Sequence, residues 1–497
     1  MKSRKLYIVV AALLFAATLP SRSFAQSQTS NDEAQQLRKL VEQMRLEMQT
    51  QMSKMQEEID QLKGTKPEMP PSQPTVAPAG PPPQQEATTQ AAKSPLEGTT
   101  SKQVGKDTAT YQQFSEDTVA APRYDNVPLD PKYQGFFRLP GTQDILKIGG
   151  YFKTDFIYDF KPAGNTDTFI PSSFPVPQAS SVNNANVSIR ATRLNLDFRI
   201  PSSKVGEVRF YIEGDFFGTN ATTPRLRHAY AQVGNFLIGQ TFTNFMDPDA
   251  MADTLDFQGP NGLVYVRNPQ FRYGFALSPS TTFYVSVEKP SSDVLFKTEL
   301  FSDQPNAPAP DAAIRLRQEY QRGHFQVAAI FRDIAAYLPN GTTGSVFGWG
   351  VNTSLKFNTF GKDNIVLAVA AGHGISRYIQ DTSGLGIDAE PTLTPTPHLQ
   401  ATPAAGVEAA YQHYWLGRLR SSLVYSYAAV NNTDFAVPTT YNHATYTTTN
   451  LIWNPIGSFN VGGEFLYGWV MDQNHKSAND PRIQFSVKYD FVKVNPD

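Results

Sequence analysis

Between about residue 145 and residue 491, apolar and polar side chains alternate with a period of two, as in β-strands that bury one face. In the first such run Ile148, Phe152, Phe156, Tyr158 and Phe160 share one parity, and Lys147, Lys153, Asp155 and Asp159 share the other. The last run repeats this, with Ile483, Phe485, Val487, Tyr489 and Phe491 opposed to Arg482, Gln484, Ser486, Lys488 and Asp490. Leu194, Leu196, Phe198 and Ile200 oppose Arg193, Asn195, Asp197 and Arg199, and the period recurs through 207–216, 270–277 and 459–469. About sixteen segments of this kind, each about 9 to 11 residues long, fill the region, and a closed bacterial barrel has an even number.

Upstream the period changes. From 31 to 63 apolar residues fall at Leu37, Val41, Met44, Met48, Met52, Met55, Ile59 and Leu62, a 3–4 alternation with one stutter near Met48. That stripe predicts a short N-terminal coiled-coil helix. Residues 64–130 hold repeated prolines, Pro81, Pro82 and Pro83 among them, and read as an extended, disordered linker. Leu6 to Leu19 is an apolar run of 14 residues after Lys2, Arg4 and Lys5, and Ser23-Phe24-Ala25 follows it. A spanning helix needs about 20 residues, so 1–25 reads as a secretory signal peptide.

Two architectures accommodate alternating strands: a soluble sandwich with its aromatic face inward, or a membrane barrel with aromatics toward lipid and charges around a watery lumen. Export favours the barrel, as does the clustering of Tyr and Phe near strand ends. Loop lengths agree. A tight reversal between Leu316 and Gln326 around Arg322-Gly323 contrasts with a long, proline-bearing stretch from Gln380 to Ala404. The predicted fold is therefore all-β: a 16-stranded antiparallel transmembrane β-barrel over 140–497, preceded by the coiled coil and the linker, in the outer membrane of a Gram-negative cell with the extension in the periplasm.

Composition narrows the function. The 43 Lys and Arg nearly balance the 45 Asp and Glu, which argues against a nucleic-acid partner, and the absence of cysteine removes thiolate chemistry. A mean hydropathy of −0.37 excludes a bundle of membrane helices. The seven histidines are scattered without metal-ligand spacing, and no nucleophile elbow or Walker sequence occurs. The expectation is a protein without cofactor, metal or catalytic centre.

The polar parity is rich in arginine. Arg193, Arg199, Arg209, Arg225, Arg227, Arg272, Arg315 and Arg317 fall on it, as do Arg332, Arg418, Arg420 and Arg482. A guanidinium is always charged and grips carboxylate through two parallel hydrogen bonds, so a wall of them favours small anionic solutes. Pairing with lumen carboxylates such as Glu213, Asp215 and Glu319, or a place at the periplasmic rim, is the alternative for any one of them. After the strand at Phe236 to Phe242, the segment Asn244 to Asn268 carries Asp247, Asp249, Asp253 and Asp256 and is too long for a turn. It reads as a constriction loop whose acids face a basic wall, or else as a solvated outer loop.

The run Pro224 to Gln232, PRLRHAYAQ, followed by Phe236 to Asp247, FLIGQTFTNFMD, resembles the DcaP-like trimeric outer-membrane porins. Leu146 to Tyr151 and the segment from Tyr441 to Trp453 are similar to that family too. The resemblance implies a homotrimer in outer-membrane lipid whose pores admit dicarboxylic acids, with Arg225 and Arg227 inside the matching motif. A general porin without substrate preference shares every feature except a specific site. A structural alternative makes the barrel an anchor and the coiled coil a contact to peptidoglycan or another periplasmic partner.

Overall fold

The computed structural model describes residues 133–491 apart from 134, 140, 179–181, 204, 220–221, 296–304, 338–342, 393–397 and 435. The expected signal, coiled coil and linker, and the tail 492–497, lie outside the described residues.

Sixteen strands close on themselves among the described residues: β1 Ile145–Asp159, β2 Arg193–Ser203, β3 Gly206–Asp215, β4 Arg225–Val233, β5 Phe236–Phe242, β6 Arg267–Ser278, β7 Thr281–Glu288 and β8 Asp311–Tyr320. They continue as β9 Gly323–Tyr337, β10 Thr343–Asn358, β11 Asn364–His373, β12 Pro403–Leu416, β13 Leu419–Val430, β14 Tyr441–Ile456, β15 Phe459–Asp472 and β16 Ser477–Asp490. Each pairs antiparallel with its neighbours, and β16 returns to β1 from Tyr151↔Asp490 to Asp159↔Arg482, so the main sheet has no free edge. Strands run from 7 residues in β5 to 16 in β10 and β14, a wider range than the alternation predicts. The longer ones outlast the apolar pattern because ladder bonding continues past the band that needs greasy side chains.

The alternation has its physical cause in which face each parity meets. In β1, Phe152 and Phe156 are 46% and 47% exposed on the outside, while Lys153, one position from Phe152, is fully buried inside. An outer surface of exposed Phe, Tyr, Leu, Ile and Trp this extensive is stable only against lipid.

Two ends are distinct. Consecutive strands connect at one end through two-residue links such as 234–235, 279–280, 321–322, 417–418 and 457–458. At the β8–β9 turn Gly323 has φ +148°, and a Cβ there would collide with the carbonyl of Lys356, which is why the turn closes on glycine. The other end carries long connections, including 160–192, 243–266 and 374–402. Three of these fold into the barrel. Phe169, Phe174, Phe245, Met246, Met251, Ile375 and Tyr378 form an interior apolar cluster against small wall residues such as Ala313, Ala328, Ala370, Ala428 and Ala444. A Cβ on Gly468 would lie 2.8 Å from the Phe174 ring, so glycine makes the room. The lumen thus mixes its charges with apolar packing, at Tyr211, Tyr230, Leu237 and Phe242 on β3–β5 and more extensively from β8 to β15, which two-residue alternation alone does not reveal.

Candidate functional site

The loop 243–266 enters the barrel after β5 and follows the inner wall from β7 round to β1. Its backbone is held by wall side chains. The Asn244 N–H donates to Glu288 at 2.8 Å, Asn352 donates to the Phe245 carbonyl at 2.8 Å, and Gln326 to the Met246 carbonyl at 3.1 Å. Farther on, the Ala252 N–H donates to Glu408 at 2.9 Å, and the N–H groups of Leu255 and Asp256 share one oxygen of Glu464 at 2.6 and 2.7 Å. Lys153 of β1 donates to the Leu255 carbonyl at 2.7 Å. A buried strip of backbone needs partners for its polar groups; a few turns within the loop, such as the Met246 N–H to the Thr243 carbonyl, supply some, and the wall supplies others.

The loop's acids are engaged by that wall. Asp247 meets Arg317 at 3.1 Å, His324 at 2.8 Å and the Ser354 hydroxyl at 2.5 Å; Asp249 meets Arg317 at 2.8 Å. Burial works against ionisation of Asp247, but His324, Arg317 and Ser354 outweigh it and hold its carboxyl well below the usual range. Asp253 accepts from Arg420 and Gln412, both at 2.6 Å. Asp256 accepts the N–H groups of Phe169 and Gly259 at 3.0 and 2.9 Å, and burial pushes its carboxyl up to about 6 against the pull of Arg482, those N–H groups and Lys153. Asp381, also raised to about 6 by burial, accepts from the Ser172 N–H and the Tyr441 hydroxyl. These two aspartates join three inward loops at one junction.

Six of the eight arginines singled out above stand on the wall from β2 to β6, which the loop touches through Phe257 and Tyr265 at its arginines. Asp197 is gripped by two forks, with Arg199 at 3.1 and 3.0 Å and Arg209 at 3.0 and 2.7 Å. Arg193 lies 3.5 Å from Glu213. Arg225 pairs bidentately with Asp215 at 3.0 and 2.7 Å, and Arg227 bonds Glu213 at 3.1 Å, Asp215 at 2.7 Å and the Tyr265 hydroxyl at 3.2 Å. Arg225 is the accessible member, its side chain 39% exposed at the long-loop end. Arg227 and His228 both point inward although they are consecutive, because Glu213↔His228 and Gly214↔Leu226 leave Arg227 as the extra residue of a β-bulge.

Arg272 of β6 differs from these. It is 1% exposed, and neither its Nε nor either Nη has a hydrogen-bond partner. The remaining two stand on β8, where the Arg315 guanidinium stacks 3.9 Å over the Tyr284 ring and Arg317 joins Asp247, Asp249 and Glu319. Of the further inward positions expected, Arg332, Arg420 and Arg482 are buried in ion pairs. Arg418 is not on the wall: it sits in the two-residue β12–β13 link, exposed, and donates to the Pro455 carbonyl. The parity count carries past the end of β12 and so misassigns it. Strand parity also misses Arg190, Arg267 and Arg377, which enter the interior from strand ends and loops, and their signal lies only in tertiary contacts. The loop ends two residues before its expected limit, Asn268 already belonging to β6.

Among the described residues no cluster of His, Asp and Glu has the makings of a metal site. A model of the DcaP outer membrane protein family matches residues 138–491. The crystal structure of the outer membrane channel DcaP of Acinetobacter baumannii is similar in fold, with a TM-score of 0.63 and 24% identity over 71% of this chain and 99% of that one. An anion-selective porin from Comamonas acidovorans aligns with a TM-score of 0.48 and 11% identity over 70% of this chain and 100% of its own. A search of curated protein sequences gives no match.

Proposed function

The chain belongs to the DcaP outer membrane protein family, a porin-type channel of the Gram-negative outer membrane, and from that premise we propose that it passes small anions, dicarboxylates foremost, along the arginine wall of β2–β6. In this reading the inward loop sets the aperture, with Asp247, Asp249, Asp253 and Asp256 fixing its course, and three copies associate as a homotrimer in outer-membrane lipid. The N-terminal extension is assigned to the periplasm, for contact with peptidoglycan or another periplasmic partner.

The observation that carries the reading is Arg272. A guanidinium keeps its charge at every relevant pH, and a buried charge without an acceptor is costly. Its neighbours along the wall are satisfied by Asp197, Glu213 and Asp215, whereas Arg272 has no hydrogen-bond acceptor, and its fork takes a solute carboxylate once the side chain turns from its buried position into the lumen. Arg225, its side chain 39% exposed at the long-loop end, is the most accessible of the eight.

Reversal potentials in a salt gradient across a planar bilayer test this. The wild type should prefer anions, and Arg272→Ala should weaken block by a dicarboxylate about tenfold, the equivalent of one charged hydrogen-bonding contact. Cation preference in the wild type, or unchanged dicarboxylate flux when Arg225 and Arg272 are both alanine, would overturn it. The internal neutralisation of Arg199, Arg209, Arg225 and Arg227 favours a second reading, a general porin without a specific site. Failure of a dicarboxylate to compete with chloride current would select that one.

A further inference from the structure

The last described residues before β1 lie against the wall at its short-link end. Phe137 and Arg138 pair with Leu146 and Ile145 at the start of β1, and this brings Tyr133 and Phe136 onto the inner wall. There the Arg199 guanidinium lies 5.5 Å from the Tyr133 ring and 5.0 Å from the Phe136 ring, while the two rings meet edge to face at 5.4 Å. The Tyr133 hydroxyl donates to Glu207, the same carboxylate that accepts from Arg199 at 3.0 Å. The other donors of Arg199 are spent on Asp197. Lys147, also near the mouth, approaches the Phe136 ring at 5.9 Å.

We propose that Tyr133 and Phe136 form an aromatic strap on the β1–β3 side of the short-link mouth that withholds Arg199 from ions passing there, so that the pore's resistance differs between its two ends. The physical reason is contact rather than charge. The rings cover the faces of a planar cation and exclude water from it, and a cation–π contact strengthens as it is desolvated.

Single-channel recording of the full chain, inserted from one side in symmetric chloride, reads this as rectification. The wild type should rectify. Tyr133→Ala combined with Phe136→Ala should raise conductance for ions entering at the short-link side by about threefold through the uncovered charges and leave entry at the long-loop side unchanged. Tyr133→Phe keeps the ring and loses only the bond to Glu207, so it should fall between the two and covers the case in which the double variant fails to assemble. Equal conductance at both polarities in the wild type, or variants with wild-type rectification, would overturn the strap. Rectification in chloride does not depend on dicarboxylate preference, so this result and the test of Arg272 stand or fall separately.

Discussion

The wall of β2–β4 and the wall beneath the inward loop both bury charges, yet they build their ion pairs over different distances along the chain. On β2–β4 the partners are near in sequence: Arg199 with Asp197 two residues away, Arg227 with Asp215 and Glu213 at 12 and 14. The bonds that tie the loop to the wall are remote, with Arg317 to Asp247 at 70, Arg420 to Asp253 at 167 and the Leu255 N–H to Glu464 at 209, although Arg317 also holds Glu319 two residues away. The first set can form as neighbouring hairpins zip together. The second requires the closed cylinder, since each bond joins the loop to a strand laid down much later. The difference teaches that the ladder is part of the strand pairing, whereas the loop anchors report whether the barrel has closed.

Removing a ladder member should have the largest effect. Arg227→Ala leaves buried Glu213 to Arg193 at 3.5 Å and Asp215 to Arg225, and breaking a buried pair from one side costs about 3–5 kcal/mol. The urea midpoint of the refolded barrel in detergent would fall accordingly. Arg225→Ala, at an exposed position and sharing Asp215 with Arg227, should cost far less. Equal losses in the two variants would erase the distinction between buried and accessible rungs.

The loop junction should answer to pH instead. Asp256 and Asp381 each have a carboxyl raised to about 6 from an ordinary 3.8. The folded chain therefore keeps protons that the unfolded chain releases, and stability is full below about pH 4 and declines as pH rises to about 6. The decline is at most about 3 kcal/mol for each group. Asp256 faces Arg482, Lys153, Glu464 and Tyr446, and Asp381 faces Tyr441 and Asn261. Asn at both positions should flatten the difference between urea midpoints at pH 4 and pH 7; a wild-type slope in that variant would place the titration elsewhere.

Glu464 tests the loop's backbone bonds. One of its oxygens accepts two N–H groups, and the other accepts the Thr448 hydroxyl. Glu464→Leu orphans the buried donors and should cost about 2–3 kcal/mol, while Glu464→Gln keeps the accepting oxygen and should cost under about 1. The same pair of variants should differ in protease cleavage within 243–266, with only the leucine form nicked.

The sequence made the strand parity, the closed barrel and the inward direction of all eight chosen arginines legible, because a two-residue period assigns each side chain to one of two environments. Lys153 and Phe152 show how sharply the two differ. Asp197 was visible on the same parity as Arg199, so their pairing follows from spacing. What stayed hidden breaks the period. The bulge turns Arg227 and His228 to the same side, Arg418 falls past a strand end, and the apolar packing of Phe169, Phe245 and Ile375 inside the lumen depends on loops meeting distant strands. No local pattern encodes those meetings.

Arg272 closes the comparison with Arg227, with the smallest expected change in stability. Both are buried inward-facing arginines at 1% exposure, and they differ in what substitution removes. Arg227 takes three partners with it. Arg272 takes none, and a similar-sized apolar side chain in its place relieves an uncompensated charge. Arg272→Met should therefore leave the urea midpoint within about 1 kcal/mol of wild type or raise it slightly, while dicarboxylate block weakens. A loss approaching that of Arg227→Ala would mean that the fold itself supplies an anion to this guanidinium, and the solute would then not be its natural partner.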